Sequence, residues 1–402
     1  MAPTRLRYGF TTAIAAVAAA IAVAQPAAAA DRIPARFFGV VAEPELLRDS
    51  VLGPAGSSLE READAMVGAG AGSVRASFFW ARVQPYAAWD DVPEELRSRF
   101  TDVAGRPYDF TDTDRIVTAA AERRLELLPV LLWAPAWAAK KPGEFASPPA
   151  DFAQFARYAA VLARRYGPGG TFWREHRDVA RLPIRDWQIW NEPTMPSFWL
   201  EQTYAKSYVR LLKVARAAIR GVDPRARIVL GGLVYDSPTA LKRIYAARGR
   251  RYFDVVALHP FTLRVRGVTE IVGADRDVMR ANGDARKPVF LTEISWPSAK
   301  GQIPMRYGYE TTEKGQAARV ADALPHLAAQ RRRLGIERVF WYSWLTREVD
   351  RSYPFDYAGL RRLEGDRVVA KPALAAYRRT ALRLQGCRAK SGSALLCDRA
   401  PR

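Results

Sequence analysis

The sequence predicts an α/β fold, a (β/α)8 TIM barrel with a parallel sheet. Short apolar segments rich in β-branched and aromatic residues alternate with segments of helical periodicity along the chain. Strands that are apolar throughout are typical of a parallel sheet covered by helices. A chain of 402 residues is long enough for one large barrel domain. An open, doubly wound sheet is the alternative, but no glycine-rich phosphate loop follows the first strand.

The alternation gives eight strands and eight helices. The predicted strands are 37–41, 73–77, 125–132, 186–190, 227–231, 254–258, 288–293 and 338–344. The predicted helices begin at 58, 111, 152, 201, 237, 269, 312 and 372. No shift in composition marks a second domain, so we expect the barrel to occupy 31–384 and a short tail to occupy 385–402.

Individual residues mark the helix ends. Ser58 is a predicted N-cap, followed by acidic residues that the helix dipole favours. Aromatic and aliphatic residues spaced three and four apart define the helix at 152–166. Ser237 and Pro238 are predicted as N-cap and first helical residue. Pro325 is expected to kink or break the helix at 312–334.

The first thirty residues have the pattern of a signal peptide. Arg5 and Arg7 precede an apolar run at 10–23, and small residues at 28–30 offer a cleavage site. An uncleaved anchor is the alternative, although the run is short for a membrane span. We therefore expect a secreted, extracellular protein without a later membrane span, and a monomer.

Only two cysteines occur, Cys387 and Cys397, both in the tail. In an exported protein such a pair is expected to form one disulfide. The three histidines, His176, His259 and His326, match no metal-ligand spacing, so neither a metal nor a cofactor is expected.

The formal net charge is +20, which can indicate nucleic acid, anionic lipid or an acidic polymer as a partner. Arginine outnumbers lysine 52 to 10 and is spread along the helices, without a basic run interleaved with aromatic residues. Nucleic acid is therefore not expected. Coding bias with solvated helix faces explains most of the charge, and a preference for an acidic polysaccharide stays open.

Two glutamates occupy matching positions at the ends of predicted strands. Glu192 lies in the segment DWQIWNEP at 186–193, and Glu293 in PVFLTEISWP at 288–297. Strand ends of a barrel meet at one mouth, so both carboxyl groups are expected there. Paired carboxyl groups are what glycosidic bond hydrolysis requires, and the flanking tryptophans suit the apolar faces of sugars. A solvated loop position is the ordinary alternative for either glutamate.

These motifs resemble a known group of enzymes. The segment 190–193, WNEP, and the pair Thr292 and Glu293 resemble the acid/base and nucleophile motifs of the retaining glycoside hydrolases of clan A. The sequence is most similar to family 39-like enzymes, which include bacterial exopolysaccharide endoglycosidases. The resemblance extends from about 37 to about 377. It is specific to the clan, not to one family or substrate.

The resemblance implies roles for individual residues. Glu192 would be the general acid/base and Glu293 the nucleophile. Arg75 on the second strand would lie beneath the nucleophile, although an outward ion pair is the alternative. Asn191 would donate to the sugar 2-hydroxyl group, unless it is only a turn residue. His259 closes the sixth strand and could have a site role or a structural one.

The resemblance also implies aromatic contacts. Related enzymes place a tyrosine near the nucleophile, but Phe261 occupies that neighbourhood, so either Tyr307 or Tyr309 replaces it or the contact is absent. Trp341 is the candidate platform under the reacting sugar. Further sugar subsites, or ordinary loop packing, would involve Trp80, Trp133, Trp137 and Trp296.

The function these observations predict is hydrolysis of O-glycosidic bonds in a poly- or oligosaccharide. A non-catalytic barrel that grips an anionic polysaccharide is the alternative from another class, but binding alone has no need of both glutamates. A transglycosylase would use the same residues with a different acceptor. The sequence does not determine the sugar, its linkage, or endo versus exo action.

Overall fold

A curled parallel sheet surrounded by helices dominates the computed structural model of the chain, which describes residues 1, 33–42, 58–201, 203–349 and 352–387. The strands are β1 (Phe38–Ala42), β2 (Ser73–Phe79), β3 (Thr101–Asp102), β4 (Pro107–Tyr108), β5 (Glu126–Leu132), β6 (Asp186–Ile189), β7 (Arg227–Val229), β8 (Leu233–Val234), β9 (Val256–His259), β10 (Val289–Ile294), β11 (Ile336–Trp341), β12 (Leu345–Thr346), β13 (Arg361–Glu364) and β14 (Arg367–Ala370).

Ten α-helices are found among the described residues. They are α1 (Leu59–Gly68), α2 (Trp80–Val83), α3 (Thr111–Glu122), α4 (Phe152–Tyr166), α5 (Thr171–Glu175), α6 (Tyr204–Val222), α7 (Ser237–Ala246), α8 (Val265–Ala281), α9 (Glu313–Leu334) and α10 (Pro372–Leu384). Short 3-10 turns occupy Trp89–Asp91, Glu94–Arg99, Gly249–Tyr252 and Pro354–Tyr357.

The main sheet has the order β7-β6-β5-β2-β1-β11-β10-β9-β8, and all its pairings are parallel. β7 lies within the predicted fifth strand, 227–231, and β8 follows it after a break of three residues, so both ends of the sheet belong to one segment. The N–H group of Leu230 donates to the carbonyl of Val255 at 3.1 Å, just before β9. The sheet therefore curls back towards its first strand, as in a TIM-like α/β fold.

Charged residues cross-link the end of the sheet where the strands begin. Arg227 donates to both carboxylate oxygens of Asp186, at 2.6 and 2.7 Å, and Arg338 lies 3.0 Å from the same carboxylate. Arg338 also donates to Glu126 at 2.7 Å. Burial alone would raise the pKa of Asp186, but Arg338 and Arg227 together lower it. This network ties β5, β6, β7 and β11 together at the face opposite the strands' carboxyl ends.

Most predicted elements are confirmed, with two corrections. Ser58 accepts from the N–H of Arg61 as the N-cap of α1. The N-cap of α7 is Asp236, not Ser237, because the Ser237 hydroxyl donates to Asp275 of α8 at 2.6 Å. Helix α9 continues through Pro325 without a break. Its buried apolar residues on either side of the proline outweigh the loss of one hydrogen bond.

Strand additions outside the main sheet were not predicted. β12, β13 and β14 form a small three-stranded sheet, and β3 pairs with β4 in a hairpin. The predicted eighth strand at 338–344 is instead β11, which ends at Trp341. The unpredicted strands, β3, β4 and β12–β14, are only two to four residues long, too short for an alternating pattern to stand out in the sequence.

Three predictions concern segments that are only partly described. No helix of the described residues is long and apolar enough to cross a membrane. Nearly all of the signal segment at 1–30, Cys397 and most of the tail lie outside the described residues. The signal peptide and the disulfide between Cys387 and Cys397 therefore stay predictions.

The ion-pair network yields a stability prediction. Asp186→Ala should lower the free energy of unfolding by about 3–5 kcal/mol, because Arg227 and Arg338 would lose a buried partner. The control is Asp64→Ala. The side chain of Asp64 is 60% exposed and pairs with Arg123 at 2.6 Å. That change should cost about 0–1 kcal/mol. Denaturant unfolding followed by circular dichroism measures both, and equal losses would contradict the assignment.

Candidate active site

Two glutamates and a histidine meet at the carboxyl ends of the strands. Glu192 follows β6, Glu293 is the next-to-last residue of β10, and His259 ends β9. One oxygen or ring nitrogen from each lies within 4.8 Å of the others. The side chains of Glu192 and Glu293 are only 13% and 9% exposed, and that of His259 is fully buried. The predicted meeting of the two carboxyl groups in one mouth is therefore observed.

Arg75 of β2 organises the floor of this mouth. Its Nη1 donates to Oε1 of Glu293 at 2.8 Å, and its Nη2 donates to Oδ1 of Asn191 at 2.7 Å. Its Nε donates to Oε1 of Gln188 at 2.7 Å. The residue is 4% exposed, so its donors are satisfied mainly by these partners, of which only Glu293 can carry an opposite charge. The structure thus places Arg75 against Glu293, and the outward ion pair is not observed.

Gln188 is a site residue that the sequence reasoning missed. It is fully buried and donates through Nε2 to the carbonyl of Leu230 at 2.9 Å, which orients its oxygen towards Arg75. Its position four residues before Glu192, in a strand with alternating faces, was the available signal. Asn191 is fixed in the same way: because its oxygen accepts from Arg75, its amide nitrogen is left as the donor.

His259 lies between the two carboxyl groups. Its Nδ1 is 2.7 Å from Oε1 of Glu192, and its Nε2 is 3.5 Å from Oε1 of Glu293. Burial lowers the pKa of His259 to about 3, so the ring is neutral near pH 7. Depending on its tautomer, a neutral ring can accept a hydrogen bond from Glu192 at Nδ1 or donate one there. His259 can therefore keep this hydrogen bond in both protonation states of Glu192.

Glycine at 232 is required for this placement of the histidine. A Cβ atom at Gly232 would lie 1.9 Å from Nε2 of His259. Any side chain there would displace the imidazole from the two carboxyl groups. The glycine lies in the short break between β7 and β8.

The two carboxyl groups differ in their electrostatic surroundings. Burial raises the pKa of Glu192 to about 7, and the charge of Arg75 opposes this rise. Burial also raises the pKa of Glu293, although the resemblance to clan A implies a nucleophile that Arg75 holds ionised. His259 and Arg75 oppose that rise. Because only Glu293 accepts directly from Arg75, the pair should lose its first proton there.

Strained backbone surrounds the mouth. Trp133, Trp190, Glu192 and Tyr235 have φ angles of 62°, 68°, 42° and 51°. All four follow strand ends on this face. Such conformations cost of order 1–3 kcal/mol each and persist where the surrounding structure imposes them. The side chains of Glu192 and Tyr235 face the mouth, at the expense of local stability.

A cleft of about 460 Å³ opens above the carboxyl groups. Its floor includes Arg75, Asn191, Glu192 and Glu293. Its aromatic lining consists of tyrosine and phenylalanine: Phe79, Phe145, Phe198, Tyr235, Phe261, Tyr307, Tyr309, Tyr342, Tyr353 and Phe355. Neither Tyr307 nor Tyr309 hydrogen-bonds Glu293 among the described contacts, so the tyrosine contact of related enzymes is not replaced by either.

The predicted tryptophans lie behind this lining. Trp80, Trp296 and Trp341 are at most 1% exposed. Trp133 is half-buried and contacts Phe79 and Phe145 edge-on, at 5.0 and 4.7 Å between ring centroids. None of these lines the cleft, and neither does Trp137, which donates to the carbonyl of Gln84 at 3.1 Å. They support the walls, and their direct contact with a substrate stays a prediction.

Distance alone would let Glu192, His259 and Glu293 hold a divalent cation. However, Oε1 of Glu293 already accepts from Arg75 at 2.8 Å, so a cation there would face a guanidinium group. Like charges at this separation repel strongly in a buried site. The arrangement favours proton transfer over metal binding, and the absence of a metal stays a prediction.

Comparisons with known proteins agree with this architecture. No protein-family model and no curated protein sequence matches the chain. Among solved structures, a family 39 glycoside hydrolase from Bacteroides cellulosilyticus WH2 is similar, with 18% identity and a TM-score of 0.59, covering 88% of this chain and 64% of that one. A monomeric β-xylosidase from Caulobacter crescentus CB15 shows 15% identity and a TM-score of 0.58, covering 86% and 68%. An α-L-arabinofuranosidase from Thermotoga maritima shows 13% identity and a TM-score of 0.58, covering 87% and 73%.

These matches confirm, at the level of the fold, the resemblance to family 39 of clan A that the motifs indicated. The chain spans less than two thirds of the length of the family 39 enzyme from Bacteroides cellulosilyticus WH2.

The guanidinium contact yields a prediction about Glu293. Arg75→Met should raise the pKa of Glu293 above its wild-type value, because both a hydrogen bond and a positive charge are lost. Carbon-13 NMR titration of glutamate-labelled protein, with Glu293→Gln for assignment, measures it. Arg99→Met, which removes an exposed arginine from Asp109, is the control and should leave that pKa unchanged. An unchanged or lower pKa in Arg75→Met would refute the electrostatic role.

Proposed function

We propose that the protein is a glycoside hydrolase that cleaves O-glycosidic bonds with retention of configuration. The observation that carries this proposal is the approach of the Glu192 and Glu293 carboxyl groups to within 4.8 Å in one mouth. Retaining enzymes have carboxyl groups about 5–5.5 Å apart, whereas inverting enzymes need about 6.5–9.5 Å to admit a water molecule between them. The short separation favours direct attack by one carboxylate.

In the first step, Glu192 gives its proton to the glycosidic oxygen while Glu293 attacks the anomeric carbon. The bond between that carbon and the leaving oxygen breaks, and a covalent glycosyl ester forms on Glu293. A pKa of about 7 leaves Glu192 protonated in about half of the molecules at neutral pH. Arg75 stabilises the negative charge on Glu293 before the attack.

In the second step, Glu192 acts as a base. Esterification removes the charge of Glu293, and with it the repulsion that disfavours ionisation of Glu192. Glu192 then takes a proton from water, whose oxygen attacks the anomeric carbon and releases Glu293. His259 can hold Glu192 in place throughout by changing its tautomer. Asn191, oriented by Arg75, would donate its amide proton to the sugar 2-hydroxyl group.

The substrate would be a poly- or oligosaccharide. The tyrosine and phenylalanine side chains around the cleft suit the apolar faces of sugar rings. The solved structures with this fold include a β-xylosidase and an α-L-arabinofuranosidase, which act on such bonds. The signal-like N-terminus supports export, so we propose that the enzyme works outside the cell.

A substitution of the proposed nucleophile, Glu293, distinguishes a hydrolase from a protein that only binds glycans. Glu293→Ala should abolish release of reducing sugar from the glycan that the wild type cleaves, with an unchanged circular dichroism spectrum, because the residue lies at the mouth. Added azide should restore turnover and yield a glycosyl azide of inverted configuration, while NMR of the wild-type reaction should show a first product of retained configuration. An inverted first product would exclude the proposal, and so would a wild type that binds glycans without cleaving any.

The acid/base role yields a pH prediction. Because the acid must be protonated, kcat/KM should fall as pH rises through about 7, the pKa of Glu192. Glu192→Ala should remove this alkaline limb. It should slow cleavage of substrates with poor leaving groups by roughly 10²–10⁴-fold, and that of dinitrophenyl glycosides far less. Glu201→Ala, at a half-exposed ion pair with Lys140, should preserve the wild-type profile. An alkaline limb that persists in Glu192→Ala would assign the acid elsewhere.

A further inference from the structure

One wall of the cleft is built from stacked aromatic side chains on the loops after β9 and β10. The rings of Phe261 and Tyr309 are stacked, with centroids 6.1 Å apart and planes 10° from parallel. Tyr307 continues the stack, with its ring 5.5 Å from that of Tyr309 and also at 10°. All three line the cleft. Flat, stacked rings of this kind offer a platform for a sugar face.

Arg306 adds a positive charge to this aromatic wall. The charged side chains that line the cleft are Arg75, Glu192, Glu293 and Arg306. The first three are held together at the floor, whereas Arg306 is exposed at the rim. Its guanidinium group lies over the ring of Tyr307, 5.4 Å from the centroid. No carboxylate among the described residues forms an ion pair with it.

The backbone that carries Arg306 is held in place. Oε1 of Glu310 accepts from the N–H groups of Arg306 and Tyr307, at 2.8 and 2.7 Å. Glu310 is 5% exposed, and its carboxylate is engaged with the backbone, not with the arginine side chain. By contrast, Arg82 and Arg99 have carboxylate partners in Asp112 and Asp109. Among the described residues, the hydrogen-bonding edge of the Arg306 side chain thus has no carboxylate partner, and its backbone is fixed by Glu310.

Tyr235 and Arg306 line the same cleft as Glu192. Tyr235 is 62% exposed there, and Tyr307 also lines the cleft. Burial raises the pKa of Tyr235, and the charges of Glu192 and Arg306 act on it in opposite directions. A sugar that contacts these residues therefore lies in the same cleft as the reacting bond.

We propose that Arg306, with Tyr235 and Tyr307, binds a carboxylate-bearing sugar, a uronic acid, of the substrate in the cleft. A planar guanidinium group matches a carboxylate in bidentate geometry, and the tyrosine rings pack against the sugar face. The cleft would then select anionic over neutral glycans. This inference rests on the proposed function, and it specifies the substrate class of the same site.

Binding without turnover tests the inference. The Glu293→Ala protein is titrated calorimetrically with polymers of glucuronic, galacturonic and mannuronic acid, and with the carboxyl-reduced form of each. Reduction converts the uronic acid into a neutral sugar with the same linkages. We expect at least one acidic polymer to bind roughly tenfold more tightly than its reduced form. In Glu293→Ala/Arg306→Gln, this preference should disappear through weaker binding of the acidic polymer alone.

The matched control separates a local contact from net charge. Arg177 is exposed on the segment between α5 and β6, at the opposite end of the barrel. Glu293→Ala/Arg177→Gln loses the same charge and should keep the preference. The inference is overturned if no acidic polymer is preferred, if Arg306→Gln weakens both forms equally, or if Arg177→Gln has the same effect. Because only binding is measured, a failure of the wild type to hydrolyse glycans would be seen separately.

Discussion

The buried guanidinium group of Arg75 is the constraint on which the candidate site depends. It joins β2 to Gln188 and Asn191 beside β6 and to Glu293 of β10. A buried arginine is costly unless its donors are satisfied, so these partners have to converge on it for the fold to be stable. The same requirement brings the carboxyl group of Glu293 under the cleft and fixes the orientation of Asn191. The packing of these strand ends and the orientation of the candidate site residues therefore both depend on the positive charge of Arg75.

The two ends of the barrel differ: stabilising ion pairs lie where the strands begin, and the candidate site lies where the strands end. Where the strands begin, Asp186, Arg227 and Arg338 compensate one another's charges. Where the strands end, the backbone is strained at Trp190 and Glu192, and Nε2 of His259 is buried without a hydrogen-bond partner among the described residues. Unsatisfied groups and strain are tolerated there because the rest of the fold holds them. They also leave the mouth able to exchange protons with a ligand.

Local patterns in the sequence were sufficient for the strands of the main sheet, the long helices and the expectation that Glu192 and Glu293 meet. Continuous apolar strands and helical spacing gave the order of the elements, because each pattern records which faces are buried. Glu192 and Glu293 could be identified because each ends a strand, and parallel strands of a barrel end at one mouth. The helix does not break at Pro325, because a local rule about proline does not include the packing of the whole helix.

What the sequence determined by itself was the order of the main strands and helices and the position of Glu192 and Glu293 at two strand ends. Only the tertiary structure decided their environment: the partners of Arg75, the raised pKa of both glutamates, and the placement of His259 against Gly232. It also decided that tyrosines and phenylalanines, not the predicted tryptophans, line the cleft. Burial, orientation and distance depend on residues from several strands, and no local segment contains that information.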